Sequence, residues 1–567
     1  MIYSHCLTEH CHQYITPSST RKTIRRIIQR TISHSPRVLI NTTTGRLLDK
    51  GERASAFESL PIFNELVSSM TTHIDYVRIK REVRQYFRYA MLSHTWEENE
   101  PLFQQVIHIA VYDIDNSPTH DKLQTFCKIV RDAGFNWAWS DTCCIDKSDH
   151  LELQEDLVAM FKWYQGSAMV IVFLRGVRLS QRGALVRSIW NTRAWTLQEY
   201  IAAKVIRFYT EDWTPYLDLE LWNHKESQEV LSEMEQATGV SAQQLSALRP
   251  GLTDIREKLR LVSTRQTTLA EDAAYSLLGI FSVTEIPATY GEGEGSELGG
   301  LLAHVLVNSG DVSILAWSGK SGSFNSCLPA STTVFNWPAT AHLPPPIQDA
   351  EMERIITASH TSSFDLDVAL SLYDCLHELP TPSFLWGRMK LPCIAFQLPP
   401  PSHHQAHSGS VYRADTSAFG AVEIKTGHDL SGMDSFYLLH PWLDSLLERE
   451  VMQRGSVEND ASPPPSPSMD DREISDEEID DDSSLLPGLE LLPFPPPPVS
   501  TVAMDRETRA WRLVAHLRQP FGALLVARAG RGTNFKRVAP DSVITVQFQE
   551  NISLADILYN VRTFDVL

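Results

Sequence analysis

The sequence lacks the long apolar runs and paired cysteines that mark membrane-spanning and disulfide-rich proteins. Its longest apolar run, residues 168–174, has the length of a strand, far below the roughly eighteen residues that cross a bilayer. The eight cysteines include no CxxC pair, and only Cys143 and Cys144 are adjacent. We therefore expect a cytoplasmic chain with reduced thiols, no membrane span and no metal site.

Several motifs of nucleotide-binding and hydrolytic proteins are also absent. The chain contains no GxxxxGK[ST], GxSxG or HExxH, so P-loop, esterase and zinc-peptidase functions lose their usual support. Gly291, Gly293 and Gly295 lack the third spaced glycine of a dinucleotide fingerprint. Because no basic stripe interleaved with aromatic residues is present, nucleic-acid binding is not expected.

The negative charge is concentrated in one segment. Residues 451–500 hold twelve acidic residues and two arginines, a net charge of −10, which is half of the −20 carried by the whole chain. This segment is also rich in proline, and its low hydrophobicity cannot offset the entropy of ordering. We predict that residues 456–500 form a disordered acidic and proline-rich linker.

The first fifty residues have the opposite bias. They contain two acidic residues and several basic ones, including Arg21, Arg25 and Arg26. Such a bias occurs in organellar presequences, but a solvated basic segment is the simpler interpretation. Residues 1–85 are therefore predicted to be an N-terminal extension.

From residue 86 onward, short apolar runs alternate with segments of helical period. This alternation is typical of an α/β fold in which parallel strands are joined by helices. We predict strands at 89–93, 137–139, 168–174 and 205–209 in a mostly parallel sheet with flanking helices, spanning residues 86–215. Residues 216–320 then read as a helical segment.

Short apolar runs and turn residues dominate the C-terminal half. They predict a β-rich C-terminal unit over residues 321–455, completed across the linker by strands in residues 501–567. The stretches 511–517, 523–528 and 543–548 all alternate in the manner of strands.

Polar side chains follow three of the predicted strands. Ligands in open parallel sheets bind beyond the carboxyl ends of the strands, so these side chains are the candidate substrate-binding residues. They are Ser93, His94 and Trp96 after the first strand, Asp141 after the second, and Arg193, Trp195 and Glu199 on the helix after the third.

Simpler interpretations of the same residues stay open. Trp195 and Glu199 are four apart and share one helical face, but a core tryptophan and a solvated or paired glutamate give the same spacing. His94 is more often a satisfied buried histidine, and Asp141 a turn former. Cys143 has no recognisable histidine partner, so an inert buried thiol is favoured over a nucleophile.

Taken together, six segments resemble the ordered motifs of the fungal heterokaryon-incompatibility (HET) domain. The resemblance covers roughly residues 86–310. The matching segments are YAMLSHTW at 89–96, WSDTCCIDK at 139–147, MFKWY at 160–164, RAWTLQE at 193–199, EDAAYSLLGIF at 271–281 and YGEG at 290–293.

HET domains are similar to TIR domains, which implies a TIR- or flavodoxin-like sheet. In TIR domains that consume NAD+, the catalytic glutamate lies four residues after a tryptophan, the spacing of Trp195 and Glu199. The resemblance thus implies that Glu199 is catalytic, with NAD+ as substrate and no cofactor. Ala194, Lys147 and Thr196 depart from the residues common in these families, but none removes the carboxyl group.

The resemblance implies a self/non-self signalling protein that triggers cell death, acting as an NAD+ hydrolase when self-associated. The alternative is a non-enzymatic, TIR-like adaptor in which Glu199 is structural. Its partners would be further copies of the chain or other incompatibility or TIR-like proteins. A thiol enzyme based on Cys143 and Cys144 would need a lowered thiol pKa, which nothing in the sequence indicates.

Overall fold

The structure, a computed structural model, describes residues 15–114, 117–178, 180–286, 290, 296–336, 354, 363–406, 409–430, 433, 435–441, 506–528, 534–549 and 551–567. The chain divides into a first unit, Met1–Ser309 with Gly319–Ala339, and a second, Gly310–Ser318 with Thr340–Leu567. The predicted linker at 456–500 and the glycines at 291, 293 and 295 lie outside the described residues. Within the described part, no helix has both the length and the apolar character to cross a membrane.

A six-stranded mixed sheet forms the centre of the first unit. In the order β2-β1-β4-β3-β5-β6, the last four strands are parallel, and β1 pairs antiparallel with both β2 and β4. The strands are β1 Val38–Asn41, β2 Leu47–Asp49, β3 Tyr89–Ser93, β4 Trp137–Trp139, β5 Met169–Leu174 and β6 Ile206–Thr210.

The predicted α/β alternation is confirmed between residues 89 and 210. Strands β3 and β4 have the predicted bounds, β5 begins one residue later than predicted, and β6 is shifted by one residue at both ends. All residues of β3, β4 and β5 are buried, as expected for strands covered by helices on both faces. β3 lies between β4 and β5, so the residues after it face the middle of the sheet edge.

Helices cover this sheet and continue beyond it. Their bounds are α1 Pro17–Ser33, α2 Lys50–Glu58, α3 Pro61–Ser69, α4 Tyr76–Phe87, α5 Phe103–Val106, α6 Pro118–Asp132, α7 His150–Gly166, α8 Trp195–Ala202, α9 Gln228–Thr238, α10 Ala242–Ala247, α11 Ile255–Ser263, α12 Asp272–Phe281 and α13 Ser296–Ser309. Single 3-10 turns occupy Val111–Asp113, Ile189–Thr192, Tyr216–Asp218, His224–Glu226 and Thr332–Phe335.

The predicted N-terminal extension over residues 1–85 is corrected by the structure. Residues 17–87 fold into four helices and two strands, and β1 adds to the parallel strands through β4. The basic residues that suggested an extension lie on the exposed face of α1, while Ile24, Ile28 and Ile32 are buried on its other face. The charge bias is therefore the solvated side of an amphipathic helix.

The second unit is β-rich, as predicted. Strands β12, β13, β14, β16 and β8 pair in sequence, and β12 also pairs with β8, so the path closes on itself. Its elements are α14 Ser363–His377, β7 Ser383–Leu385, β8 Arg388–Leu398, β9 Ser402–Ala406, β10 Gly409–Thr416, β11 Gly420–Lys425, β12 Phe436–Pro441, α15 Arg506–Leu517, β13 Phe521–Arg528, β14 Phe535–Arg537, β15 Ile544–Val546, α16 Leu554–Tyr559 and β16 Val561–Val566, with a 3-10 turn at Val312–Leu315.

Two details of this unit differ from the prediction. The boundary expected at residue 320 is not simple, because residues 310–318 belong to the second unit and residues 319–339 to the first. Residues 511–517 are helical rather than extended. Ala510, Leu513, Val514 and Leu517 are all buried, and their spacing of three and four residues is the helical period that the apparent alternation concealed.

The contact between α7 and α12 gives a test of the packing in the first unit. A Cβ on Gly279 would lie 2.2 Å from the Cβ of Phe161, so Gly279→Ala should destabilise the unit by about 1–3 kcal/mol in urea unfolding. Gly300 in α13 has nothing within 4 Å of such an atom. Gly300→Ala should be neutral or stabilise by about 0.5–1 kcal/mol, and equal losses in both variants would contradict the packing argument.

Candidate functional site

A chain of three hydrogen-bonded side chains lies at the carboxyl end of β3. The Glu199 carboxyl accepts a hydrogen bond from the hydroxyl of Ser93, the last residue of β3. The Ser93 oxygen in turn accepts the indole N–H of Trp190 at 2.7 Å. Glu199 is 7% exposed and Ser93 is 1% exposed, so this chain is closed to solvent. The glutamate on α8 therefore points to the strand ends, as the sequence predicted.

The environment of Glu199 favours its neutral form. Burial is the main cause that raises the pKa of the carboxyl to about 8, and the charge of Asp141 acts in the same direction. The hydrogen bond from Ser93 and the charges of Arg265 and Arg193 oppose the rise without cancelling it. At pH 7 most chains consequently hold a protonated Glu199, and a carboxylate would have to form during any reaction that uses one.

Tyr164 encloses the same carboxyl from α7. Its hydroxyl donates to the backbone carbonyl of Leu92 at 3.0 Å, and its ring stacks edge-on against Trp139. Burial, followed by the nearby Glu199, raises the pKa of Tyr164 well above its ordinary value. The tyrosine is thus a fixed, neutral hydroxyl beside the glutamate.

His94, Trp96 and Asp141 are brought together in a second cluster after β3 and β4. The Asp141 carboxylate lies 3.1 Å from Nε2 of His94 and accepts the Trp96 indole N–H at 2.6 Å. The Lys147 ammonium lies 3.8 Å from the centre of the Trp96 ring. Burial raises the pKa of Asp141, but these hydrogen bonds, together with the charges of His94 and Lys147, outweigh it and hold the pKa below its usual value.

His94 also belongs to a buried set of charges. Its Nδ1 lies 3.6 Å from a Glu100 oxygen, and the Lys122 ammonium contacts both Glu100 and Glu97. Lys122 is 3% exposed. These ion pairs anchor the loop after β3 to α6, and Trp96, at 46% exposed, is the part of the loop that reaches solvent.

Arg193 and Trp195 lie at the start of α8 and turn toward α12. Nη1 of Arg193 donates to Thr268 at 2.9 Å, and the Trp195 side chain hydrogen-bonds the Asp272 carboxyl, which also accepts from Tyr290. The indole joined to Glu199 through hydrogen bonds is therefore that of Trp190, while the Trp195 indole, four residues before Glu199, bonds Asp272. The roles predicted for Arg193 and Trp195 in substrate binding stay predictions.

Cys143 is an inert thiol in this environment. It is fully buried, and a hydrogen bond with Cys144 and burial hold the pKa of Cys143 well above its usual range. A high thiol pKa opposes a nucleophilic role. Among the described residues, no group of three or more histidine, cysteine or acidic side chains could hold a metal ion.

Sequence reasoning missed Trp190, Tyr164 and Arg265 as parts of the site. Tyr164 lies within one of the family-like segments, MFKWY at 160–164, so a signal for it existed. Trp190 lies in a 3-10 turn before α8, and Arg265 follows α11. Neither position has a periodic pattern that connects it with β3.

Removing the Ser93 hydroxyl tests whether the chain of hydrogen bonds holds the site together. Ser93→Ala leaves the Trp190 N–H and the Glu199 carboxyl without this partner inside the protein. We expect a loss of about 1–3 kcal/mol in urea unfolding of the first unit. The exposed Ser246→Ala on α10 should change stability by less than about 0.5 kcal/mol. A Ser93→Ala variant as stable as native would mean that water replaces the hydroxyl.

The geometry defines an α/β domain with buried and partly exposed ionisable side chains gathered at the carboxyl ends of parallel strands. Residues 89–182 of this domain match the family model described as Heterokaryon incompatibility protein (HET). This stretch of the chain is thus similar to the HET family, as the ordered motifs predicted. The matched residues include Ser93, His94, Trp96 and Asp141, while Glu199 lies beyond them.

One curated relative supports the same assignment. The chain is similar to Vegetative incompatibility protein HET-E-1 of Podospora anserina, with 33% identity over 225 residues. The alignment covers 37% of this chain and 15% of the relative, so this chain spans only a small part of that protein. No solved structure matches the chain, and the likeness to TIR domains accordingly stays a prediction.

Proposed function

We propose that this chain is an incompatibility-type signalling protein whose HET domain cleaves NAD+ when it self-associates. The observation that carries the proposal is the direct contact of Glu199 with Ser93 at the carboxyl end of a central parallel strand. The four parallel strands lie across the sheet in the order β4-β3-β5-β6. Numbered from one to four along the chain, this order is 2-1-3-4, as in flavodoxin-like doubly wound sheets. In such sheets this edge is where nucleotides bind, which supports a nucleotide substrate.

The proposed reaction is hydrolysis of the bond between nicotinamide and ribose. Water adds to the anomeric carbon, the bonding electrons leave with nicotinamide, and the products are nicotinamide, ADP-ribose and a proton. Positive charge develops on the ribose during cleavage, and a nearby carboxylate stabilises it. The cationic nicotinamide ring of the substrate favours the ionised form of a carboxyl beside it, so binding would lower the pKa of Glu199, which is mainly neutral in the free chain.

The proposed substrate contacts follow from the remaining polar residues. Trp96 offers an exposed indole for stacking, with Asp141 and His94 fixed behind it. Arg193 would supply a cation for the pyrophosphate. Because Glu199 is 7% exposed, the reaction requires local opening of the site. We propose that self-association supplies this opening, and that free copies are largely inactive.

The test is to incubate purified full-length chain with NAD+ at increasing protein concentration and to quantify nicotinamide. Release per copy that rises with concentration is expected from an enzyme activated by self-association. Release per copy that is independent of concentration would contradict the activation step. No release at any concentration, with the chain shown to be self-associated by light scattering, would contradict NAD+ cleavage.

A second candidate is a non-enzymatic adaptor. The burial of Glu199 also favours this function, because a neutral, buried carboxyl that is hydrogen-bonded by Ser93 can serve only to stabilise the fold. Expression of native and Glu199→Gln chains in a fungal host separates the two functions. An adaptor continues to cause cell death when its glutamate is neutralised, whereas an enzyme does not.

A further inference from the structure

An open cavity of about 300 Å³ is lined by residues of α11, of α12 and of the 3-10 turn at Thr332–Phe335, together with Ala194 just before α8. Hydroxyl groups dominate its polar lining. They belong to Thr267, Ser331, Thr332 and Thr333, and the amide of Gln266 adds a further donor and acceptor. Among the described residues that line the cavity, Arg265 is the one charged side chain.

Arg265 is buried without a carboxylate in contact. The residue is 5% exposed, and its guanidinium donates to the carbonyl of Arg193 at 2.9 Å and to Thr196 Oγ1 at 2.8 Å. Nη2 of Arg265 donates to the amide oxygen of Asn191 at 3.4 Å, and Nε has no hydrogen-bond partner among the described residues. A buried cation with neutral acceptors alone is costly, and an anion beside it would offset that cost.

Glu199 does not supply the missing negative charge beside Arg265. Burial lowers the pKa of Arg265 to about 10, and the charge of Glu199 opposes that change only from a distance. Arg265 therefore remains a cation at pH 7, when the Glu199 carboxyl is mostly neutral. Arg265 is also one of the residues that line a cavity large enough for a small ligand.

We propose that this cavity binds a phosphate or diphosphate group. The guanidinium would supply the charge and a charge-assisted hydrogen bond, and the surrounding hydroxyls would donate to the remaining oxygens. A tetrahedral oxyanion suits this set because it accepts several hydrogen bonds from different directions, unlike a halide.

A ligand in this cavity would be linked to Glu199 through a short series of side-chain contacts. The Arg265 guanidinium lies 5.9 Å from the centre of the Trp190 ring and hydrogen-bonds Thr196 in the first turn of α8. Trp190 donates to Ser93, which donates to Glu199. A phosphate group on Arg265 would therefore act on the residues that hold Glu199, whether or not Glu199 is catalytic.

Calorimetric titration of the full chain with inorganic phosphate, and separately with pyrophosphate, tests the proposal. Ionic strength is held constant with sodium chloride. Native protein should show saturable binding at one site. Thr333 is exposed at the cavity, so Thr333→Glu should keep the fold, and its carboxylate should weaken binding at least about tenfold by repulsion. Thr72→Glu adds the same charge at an exposed loop outside the lining and should bind within about twofold of native.

Two results would overturn the proposal. One is the absence of saturable binding of either anion to the native chain. The other is equal binding by native and Thr333→Glu protein, which would place the anion on another surface. Arg265→Gln supplies a further arm, with circular dichroism as the check on folding. A folded Arg265→Gln chain that binds phosphate as native does would also rule out this cavity.

Discussion

Replacing Glu199 with glutamine is expected to reduce nicotinamide release from NAD+ by about 100-fold or more, with no loss of stability at pH 7. Glutamine cannot supply the negative charge that stabilises a cationic transition state, and loss of such an electrostatic contact commonly costs two to three orders of magnitude in rate. The fold should tolerate the change because the native carboxyl is already mostly neutral at this pH, with a pKa of about 8. Glutamine resembles that protonated form in size, and its amide can accept the hydrogen bond from Ser93.

The pH dependence of release sharpens this prediction. If the free chain must lose the Glu199 proton, nicotinamide release under limiting NAD+ should rise with pH and level off above about pH 8. Release by the Glu199→Gln variant, measured in parallel, gives the background from spontaneous hydrolysis. Glu220→Gln, a change of an exposed glutamate in the same unit, should match native protein at each pH. A Glu199→Gln chain with native release would remove Glu199 from the reaction.

Sequence patterns were sufficient to predict the parallel strands at the centre of the first unit. The parallel strands from 89 to 210 are short, apolar and separated by helices of clear period, so their order along the chain and the polar residues after them could be read directly. The meeting of Ser93 with Glu199 follows from these elements, because one ends a strand and the other lies on a helix that flanks the strand ends. Trp190 could not be found in this way, since it reaches Ser93 from a single 3-10 turn.

The sheet edge and the buried charges escaped sequence reasoning for different reasons. β1 and β2 contain four and three residues, too few for a periodic pattern, and the basic helix before them concealed the fold of the segment. Lys122 and Arg265 are buried although charged residues usually stay exposed. Lys122 is buried because Glu97 and Glu100 meet it from a loop twenty or more residues away in sequence, which no local pattern indicates.

The buried carboxyl should also make the stability of the first unit depend on pH. In the folded chain the pKa of Glu199 is about 8, above the ordinary value of 4.5 that an unfolded chain would have. Between these values the folded state binds more protons at this residue than the unfolded state, so the contribution of Glu199 to stability is fully present below about pH 4.5 and is lost as pH rises toward 8. The loss is about 1.4 kcal/mol per pH unit, with an upper bound of about 5 kcal/mol across the window.

Comparison of native and Glu199→Gln protein isolates this contribution, because other groups titrate equally in both. Urea unfolding, followed by hydrogen-exchange mass spectrometry of the peptide that carries β3, should show native protein losing stability relative to the variant as pH is raised from 5 to 8. Glu220→Gln should follow the native curve. Parallel curves for native and Glu199→Gln protein would mean that the carboxyl ionises without cost inside the fold. That result would require water or a cation at Ser93 and Glu199, and the site would then be open to solvent in the free chain rather than enclosed.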